Sequence, residues 1–184
     1  NEGLHFNAIS DQGYYINVAI NSVLNNLLLG AILAIAVLAI FLRSIRPTVI
    51  IAFSIPISLL FALTLMYFSG VTINMISLAG LAMGVGMLVD NSIVAIENIF
   101  RLRSEGKSAA TAAVVGAKQV TGAIAASTLT TVCVFLPVLF TQGLTRQIFA
   151  DMGLTVAYSL LASLLVALTL IPAAAANILT KEPP

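Results

Sequence analysis

Residues 74–100 of this 184-residue chain read NMISLAGLAMGVGMLVDNSIVAIENIF. A helix needs about 20 mostly apolar residues to cross a bilayer, and this stretch is long enough. It carries a single acidic residue, Asp90, within its apolar body. The stretch therefore predicts a membrane helix with one carboxylate far from either end.

The overall composition points to a membrane protein. Hydrophobic residues make up 60% of the chain, charged residues make up 8%, and the mean hydropathy is +1.08. Soluble domains carry roughly 25% charged residues. Eight basic and seven acidic side chains cannot solvate a globule of 19.2 kDa. This excludes a soluble enzyme, a nucleic-acid-binding protein and a disordered tail.

Five stretches are long and apolar enough to span a bilayer, which predicts an all-α bundle of five transmembrane helices. The predicted spans are residues 24–42, 48–68, 74–100, 120–140 and 149–179. We expect residues 1–23 to be an extracytoplasmic remnant and lead-in, residues 24–179 the transmembrane domain, and residues 180–184 a cytoplasmic tail. The Ala-rich residues 107–118 could form a short surface helix. The first and last residues suggest a piece of a longer protein.

Basic residues are distributed unevenly between the two sides that five spans define. The loops after spans one and three, with the C-terminus, hold Arg43, Arg46, Arg101, Arg103, Lys107, Lys118 and Lys181. The opposite side holds only Arg146. Because basic loops stay in the cytoplasm, we expect the N-terminus outside and the C-terminus inside the cell.

Asp90 is the first candidate functional residue. It lies about 5 Å to the cytoplasmic side of the centre of its span, at 1.5 Å per residue. A carboxylate at such depth costs at least about 2.5–3.5 kcal/mol on insertion scales, so it should face protein or water. Apolar surroundings favour a protonated carboxyl and a nearby cation favours the charged form. Asp90 is therefore a candidate proton carrier, although a protonated Asp that only joins helices is an alternative.

Four other residues are candidate members of a proton relay. Asn91 cannot titrate, but its amide could donate to Asp90 or orient a water; an interhelical hydrogen bond explains it at least as well. Glu97 lies two helical turns beyond Asp90, where a solvated helix end is as good an explanation as a proton exit. Thr128 and Thr131 could satisfy Asp90 or hold water, or could bond to their own helix carbonyls.

Small residues predict where helices approach closely. Gly80 and Gly84 form a small-xxx-small pair, with Gly86 close by. On a helical wheel Gly80, Gly84 and Asn91 share one stripe, and Asp90 lies on the adjacent stripe. The close-packed face is therefore predicted to border the acidic face.

The motif in residues 86–99, GMLVDNSIVAIENI, resembles the fourth transmembrane helix of resistance-nodulation-division transporters, most closely their hydrophobe/amphiphile multidrug branch. The resemblance extends over nearly the whole chain. It includes FLRSIRP at residues 41–47, SIP at 54–56, VTINMISLAG at 71–80, Pro137, and LIPA at 170–173. The five spans would then match helices two to six of a twelve-helix protein.

The resemblance implies a proton-driven exporter in a prokaryotic inner or plasma membrane. In that family two helix-four acids meet a lysine from helix ten. Asp90 matches the first acid, but Asn91 replaces the second, so one titratable group stands where many relatives have two. The resemblance also implies as partners a second transmembrane repeat that carries the lysine, a homotrimer, and adaptor and outer-channel proteins. It implies no enzyme activity and no cofactor. No cluster of His, Met or Cys residues in the predicted spans suggests a bound metal.

Other functions fit the sequence less well. An intramembrane aspartyl protease needs two facing carboxylates, whereas Asp90 is the only carboxylate deep in a predicted span. An intramembrane serine protease needs a Ser–His pair, whereas His5 is the sole histidine and lies outside the spans. A noncatalytic membrane scaffold remains an alternative, as does export of metal ions or lipids within the same family. The fragment alone is not expected to transport.

The basic-residue bias makes a testable prediction of topology. A cysteine introduced at Ser104 should react with membrane-impermeant reagents only from the cytoplasm, and one at Thr145 only from outside, because they lie in loops on opposite sides. Labelling of intact cells and inverted vesicles measures this. Labelling of the Ser104 position from outside would contradict the assignment.

Overall fold

Helices are the only regular secondary structure in residues 12–42 and 44–179, which are the residues that this computed structural model describes. Its six helices are α1 (Gln12–Leu42), α2 (Ile45–Phe68), α3 (Met75–Ser104), α4 (Ala109–Leu139), α5 (Leu144–Leu168) and α6 (Leu170–Ile178). Five candidate membrane spans result, because α5 and α6 together form one of them. The predicted all-α bundle of five apolar spans is therefore confirmed.

Two helices begin well before the predicted spans: α1 begins twelve residues earlier, at Gln12, and α4 begins eleven residues earlier, at Ala109. The Ala-rich segment is not a separate surface helix, since α4 begins at Ala109 and continues through it. Ala112 and Ala113 are buried, and Gly116 lies against Ile99 of α3. Burial in the core keeps these residues in the bundle, which alanine content alone does not reveal.

The fifth span is interrupted between α5 and α6. Thr169 adopts φ −119° and ψ −63°, and Pro172 follows as the third residue of α6. Proline has no N–H to donate to the residue four positions earlier, so the hydrogen-bond ladder breaks here. Pro56 and Pro137, in contrast, lie inside the continuous helices α2 and α4.

The helix α3 occupies the middle of the bundle. In its most apolar window 56% of residues are buried inside the protein, whereas only 6% are buried in the window of α1. Ile96 and Ile99 of α3 are completely buried and share a core with Ile51 of α2 and Ile171 of α6. Much of α3 is thus buried against other helices of the bundle, and one of its exposed sides lines the groove beside the peripheral α1.

Hydrogen bonds hold both ends of α3. At its start the Asn74 side chain accepts from the backbone N–H groups of Ile76 and Ser77, at 2.9 and 2.8 Å, which satisfies two donors of the first turn. At its end the Arg103 guanidinium donates to the Leu179 carbonyl after α6, at 3.2 Å, and to the Lys107 carbonyl, at 2.9 Å.

The packing of α4 against α5 can be tested by a disulfide. A Cβ built on Gly153 lies 3.8 Å from Phe135 Cβ, which is about the mean Cβ separation in disulfides. In a Cys133→Ser background, the pair Gly153→Cys and Phe135→Cys should cross-link on mild oxidation. The control pair Gly86→Cys and Phe135→Cys should not, because no atom within 4 Å faces a Cβ at Gly86. Equal cross-linking of both pairs, measured by gel mobility after proteolysis between the helices, would contradict this arrangement.

Candidate functional site around Asp90 and Asn91

Asp90 lies in the middle of α3 and faces outward. Its side chain is exposed and lines an open groove of about 430 Å³ between α1 and α3. Among the described residues it takes part in no hydrogen bond or ion pair. The carboxylate therefore lies in the apolar part of a membrane span and is available to a group from outside the described bundle.

Small residues keep this groove open. Gly30 and Ala34 of α1 line it opposite Ala82 and Gly86 of α3, and a Cβ built on either glycine meets no atom within 4 Å. The other lining side chains are apolar, apart from Asn26. A carboxylate with such neighbours has space for a partner but receives no compensating charge from the groove walls.

Asn91 points in a different direction from its neighbour. Its side chain is buried, and its amide Nδ2 donates to Thr128 Oγ1 of α4 at 3.1 Å and to Ser163 Oγ of α5 at 3.3 Å. The Ser163 hydroxyl in turn donates to the Leu88 carbonyl of α3 at 3.1 Å. Residues one position apart on a helix differ by about 100°, which explains why Asp90 and Asn91 separate. The Asn91 side chain thus joins three helices, and its amide hydrogens go to Thr128 and Ser163 and not to the Asp90 carboxylate.

Ser163 is the residue that the sequence analysis missed. It belongs to a row of polar residues on α5 that recur every four positions: Asp151, Thr155, Ser159 and Ser163. The last three are completely buried. A spacing of four places side chains on one face of a helix, so this row could have indicated the face of α5 that packs against α3.

Two of the three candidate glycines pack against that face. A Cβ built on Gly80 would lie 2.9 Å from the Met152 carbonyl oxygen, and one built on Gly84 would lie 2.6 Å from Ser159 Cβ. Gly86 does not share this role, because no atom lies within 4 Å of its Cβ position. Two residues along the helix is a rotation of about 200°, which turns Gly86 away from α5 and into the groove beside Asp90.

The remaining relay candidates do not join the cluster. Thr131 donates to the Ser127 carbonyl of its own helix at 3.0 Å, which is the local bond that such hydroxyls commonly form. Glu97 is exposed and lines a separate recess between α3 and α4, together with Asn98 and Arg101. Of the predicted relay residues, the structure brings together only Asn91 and Thr128.

Asp151 does not cap α5 as its position in the sequence suggests. The helix already begins at Leu144, seven residues earlier. Asp151 Oδ2 instead accepts from Asn74 Nδ2 at 2.9 Å and from Thr72 Oγ1 at 3.3 Å. The carboxylate thus connects α5 to the first turn of α3.

The contact at Gly84 makes a prediction about stability. Gly84→Ala should destabilise the 184-residue chain by about 1–3 kcal/mol, the usual cost of overpacking, because its methyl group would overlap Ser159. Gly86→Ala is the matched control and should be neutral or slightly stabilising, since alanine favours helix and the site is open. Unfolding in detergent by circular dichroism measures both. Equal destabilisation by the two changes would contradict the packing described.

Comparison with known proteins agrees with the architecture. The family model described as the AcrB/AcrD/AcrF family matches residues 1–184. The chain is 34% identical over 184 residues to the swarming motility protein SwrC of Bacillus subtilis, which covers 98% of this chain and 18% of SwrC. It is 35% identical over 181 residues to the multidrug resistance protein MdtC of Serratia proteamaculans, and this match again covers 98% of this chain and 18% of the relative. It is 36% identical over 169 residues to MdtC of Photorhabdus laumondii, which covers 92% of this chain and 16% of that protein.

The chain therefore spans about a fifth of the length of the relatives that it matches. The match of the family model extends over all of it, and the relatives are about one-third identical over nearly all of it. The resemblance inferred from the motif around Asp90 is thereby confirmed. This chain belongs to the AcrB/AcrD/AcrF family, and thus to the resistance-nodulation-division transporters.

Proposed function

We propose that this chain is part of the membrane domain of a proton-driven efflux transporter, and that Asp90 is the residue that carries the proton. The observation that carries the proposal is the position of Asp90 in the middle of the central helix, exposed in an apolar groove without a partner in the described bundle. Ionisable residues inside membrane spans are costly and commonly mark proton or ion pathways.

A charged Asp90 needs a cation, and the groove leaves room for one. We expect the second transmembrane repeat of the parent protein to bring a lysine to this position. Two unit charges about 4 Å apart attract by about 4 kcal/mol at an effective dielectric constant of 20. Protonation of Asp90 removes this attraction, so the two repeats can adopt another arrangement. Binding and release of one proton would thus be coupled to movement between the repeats.

Asn91 has a different role in this proposal. Because its amide hydrogens go to Thr128 and Ser163, it holds α3 to α4 and α5 and does not relay protons. One titratable group then operates at this level of α3. The carboxylate can change its charge while the helix that bears it stays fixed in the bundle.

The wider setting is also a proposal. We place the protein in a bacterial cell membrane with the N-terminus outside, because seven of the eight basic residues lie on one side of the five spans. We expect the full-length protein to form a trimer and to work with adaptor and outer-channel proteins. The name of MdtC, a multidrug resistance protein, supports drugs as substrates, and we propose that drugs or other amphiphiles are exported in exchange for protons.

The proposal predicts the effect of removing the carboxylate in the full-length parent. Asp90→Asn should abolish export driven by a proton gradient while expression and membrane insertion stay normal, because an amide cannot bind and release a proton in the same way. Asn91→Ala should be milder, and Asn91→Asp should retain function or shift its pH dependence. Export from energised inverted vesicles at matched expression measures the rates.

Asp151→Asn provides a control with the same chemical change at another carboxylate. It should retain much more export than Asp90→Asn, since its amide oxygen can still accept the hydrogen bond from Asn74. If the Asp90→Asn parent exports at a rate near that of the wild type under a proton gradient, the proton carrier lies elsewhere.

A further inference from the structure

The start of α3 is joined to α5 by a small polar cluster that the proposed site does not include. Asn74 uses both ends of its side-chain amide: the oxygen caps α3, and the nitrogen donates to Asp151 Oδ2 at 2.9 Å. Thr72 Oγ1 donates to the same carboxylate oxygen at 3.3 Å. Asn74 and Asp151 are both half-buried. One carboxylate thus fixes the capping residue of the helix that carries Asp90.

Close packing lies directly below this cluster. Met152, the residue after Asp151, contacts Gly80, and Ser159 contacts Gly84. Such contacts set the distance between two helix axes, but they are not directional. Hydrogen bonds are directional, so the bond between Asn74 and Asp151 opposes sliding and rotation of the start of α3 on α5.

A second polar contact lies deeper in the membrane, where Asn91 reaches Ser163. Hydrogen bonds therefore connect α3 to α5 at two levels, one before Gly80 and one after Gly84 along α3. Asp90 is 16 positions beyond Asn74, or about 24 Å along the helix axis. A helix of this length transmits a shift at its start to that depth when nothing bends it, and α3 contains no proline.

We propose that Asp151 is a positioning residue: through Asn74 it sets the register of α3 on α5 and so the place of Asp90 in its groove. This inference rests on the proposed function of Asp90, because the position of that carboxylate matters only if it takes part in transport. Asp151 itself touches no reacting group. Among the described residues, the side chains that donate to this carboxylate are Asn74, the N-cap of α3, and Thr72 in the preceding loop.

The arrangement allows an exchange of the two partners in the full-length parent. Asn74→Asp alone would place two carboxylates together and should lower the turnover of export by about tenfold, equivalent to about 1.4 kcal/mol. Asp151→Ala should lower it similarly. The double variant Asn74→Asp with Asp151→Asn restores one carboxylate and one amide. Aspartate is also a good N-cap, so the helix start is kept. The double variant should recover most of the turnover.

Export is measured in inverted vesicles as maximal rate and KM, together with the amount of inserted protein and its unfolding midpoint in detergent. A positioning role lowers the maximal rate per molecule with KM unchanged, and the exchange restores it. A purely structural role lowers the amount or the unfolding midpoint while turnover per molecule stays normal, which would overturn the proposal. Failure of the double variant to recover would also overturn it.

Asp90→Asn, assayed beside these variants, separates the two proposals. Loss of export in Asp90→Asn with normal turnover in Asn74→Asp and Asp151→Ala would overturn the positioning role alone. Export by Asp90→Asn at the wild-type rate would overturn the proton carrier. The double variant Asn74→Asp with Asp151→Asn would then still show whether the hydrogen bond between these two residues controls turnover.

Discussion

The close contact between α3 and α5 is the constraint on which the rest of the structure depends. Lipid tails are as apolar as the side chains they surround, so helices in a membrane associate through close packing and polar contacts and not through the hydrophobic effect. Here Gly80 and Gly84 remove the side chains that would separate the two helices. The buried hydroxyl residues of α5 (Thr155, Ser159 and Ser163) belong to the face that packs against α3, and the Ser163 hydroxyl donates a hydrogen bond to the Leu88 carbonyl of α3. With α3 held in this way, every other residue on it has a defined direction.

The separation of two adjacent residues follows from this constraint. Because Gly84 and Asn91 face the interior of the bundle, the rotation of about 100° per residue turns Asp90 to the groove beside α1. The residue that cannot titrate is buried and satisfied by two hydroxyl groups, and the residue that can titrate is left open. Asn91 maintains the architecture, and Asp90 remains free to meet a charge brought by another part of the protein.

The sequence alone predicted the membrane helices and the position of Asp90 near the middle of its span, because apolar length and an isolated charge are strong signals. It could not separate Gly86 from Gly80 and Gly84, since small residues look alike until the partner helix is known. The extent of α4 was underestimated, because alanine content does not show that Ala112 and Ala113 are buried in the core. The role of Asp151 was hidden for a related reason: a carboxylate near the start of a predicted span suggests a helix cap, whereas its partner Asn74 is distant in sequence. Contacts between distant segments decided each of these cases.

The proposed mechanism depends on the binding and release of the transported proton by Asp90. Infrared difference spectroscopy of the reconstituted full-length parent, recorded between acidic and alkaline pH, observes carboxyl groups directly through the carbonyl stretch of their protonated form. The account predicts a protonated-carboxyl band in the wild type that is missing from Asp90→Asn and retained in Asn91→Ala. An identical band in the wild type and in Asp90→Asn would show that another group takes up the proton, and would contradict the account.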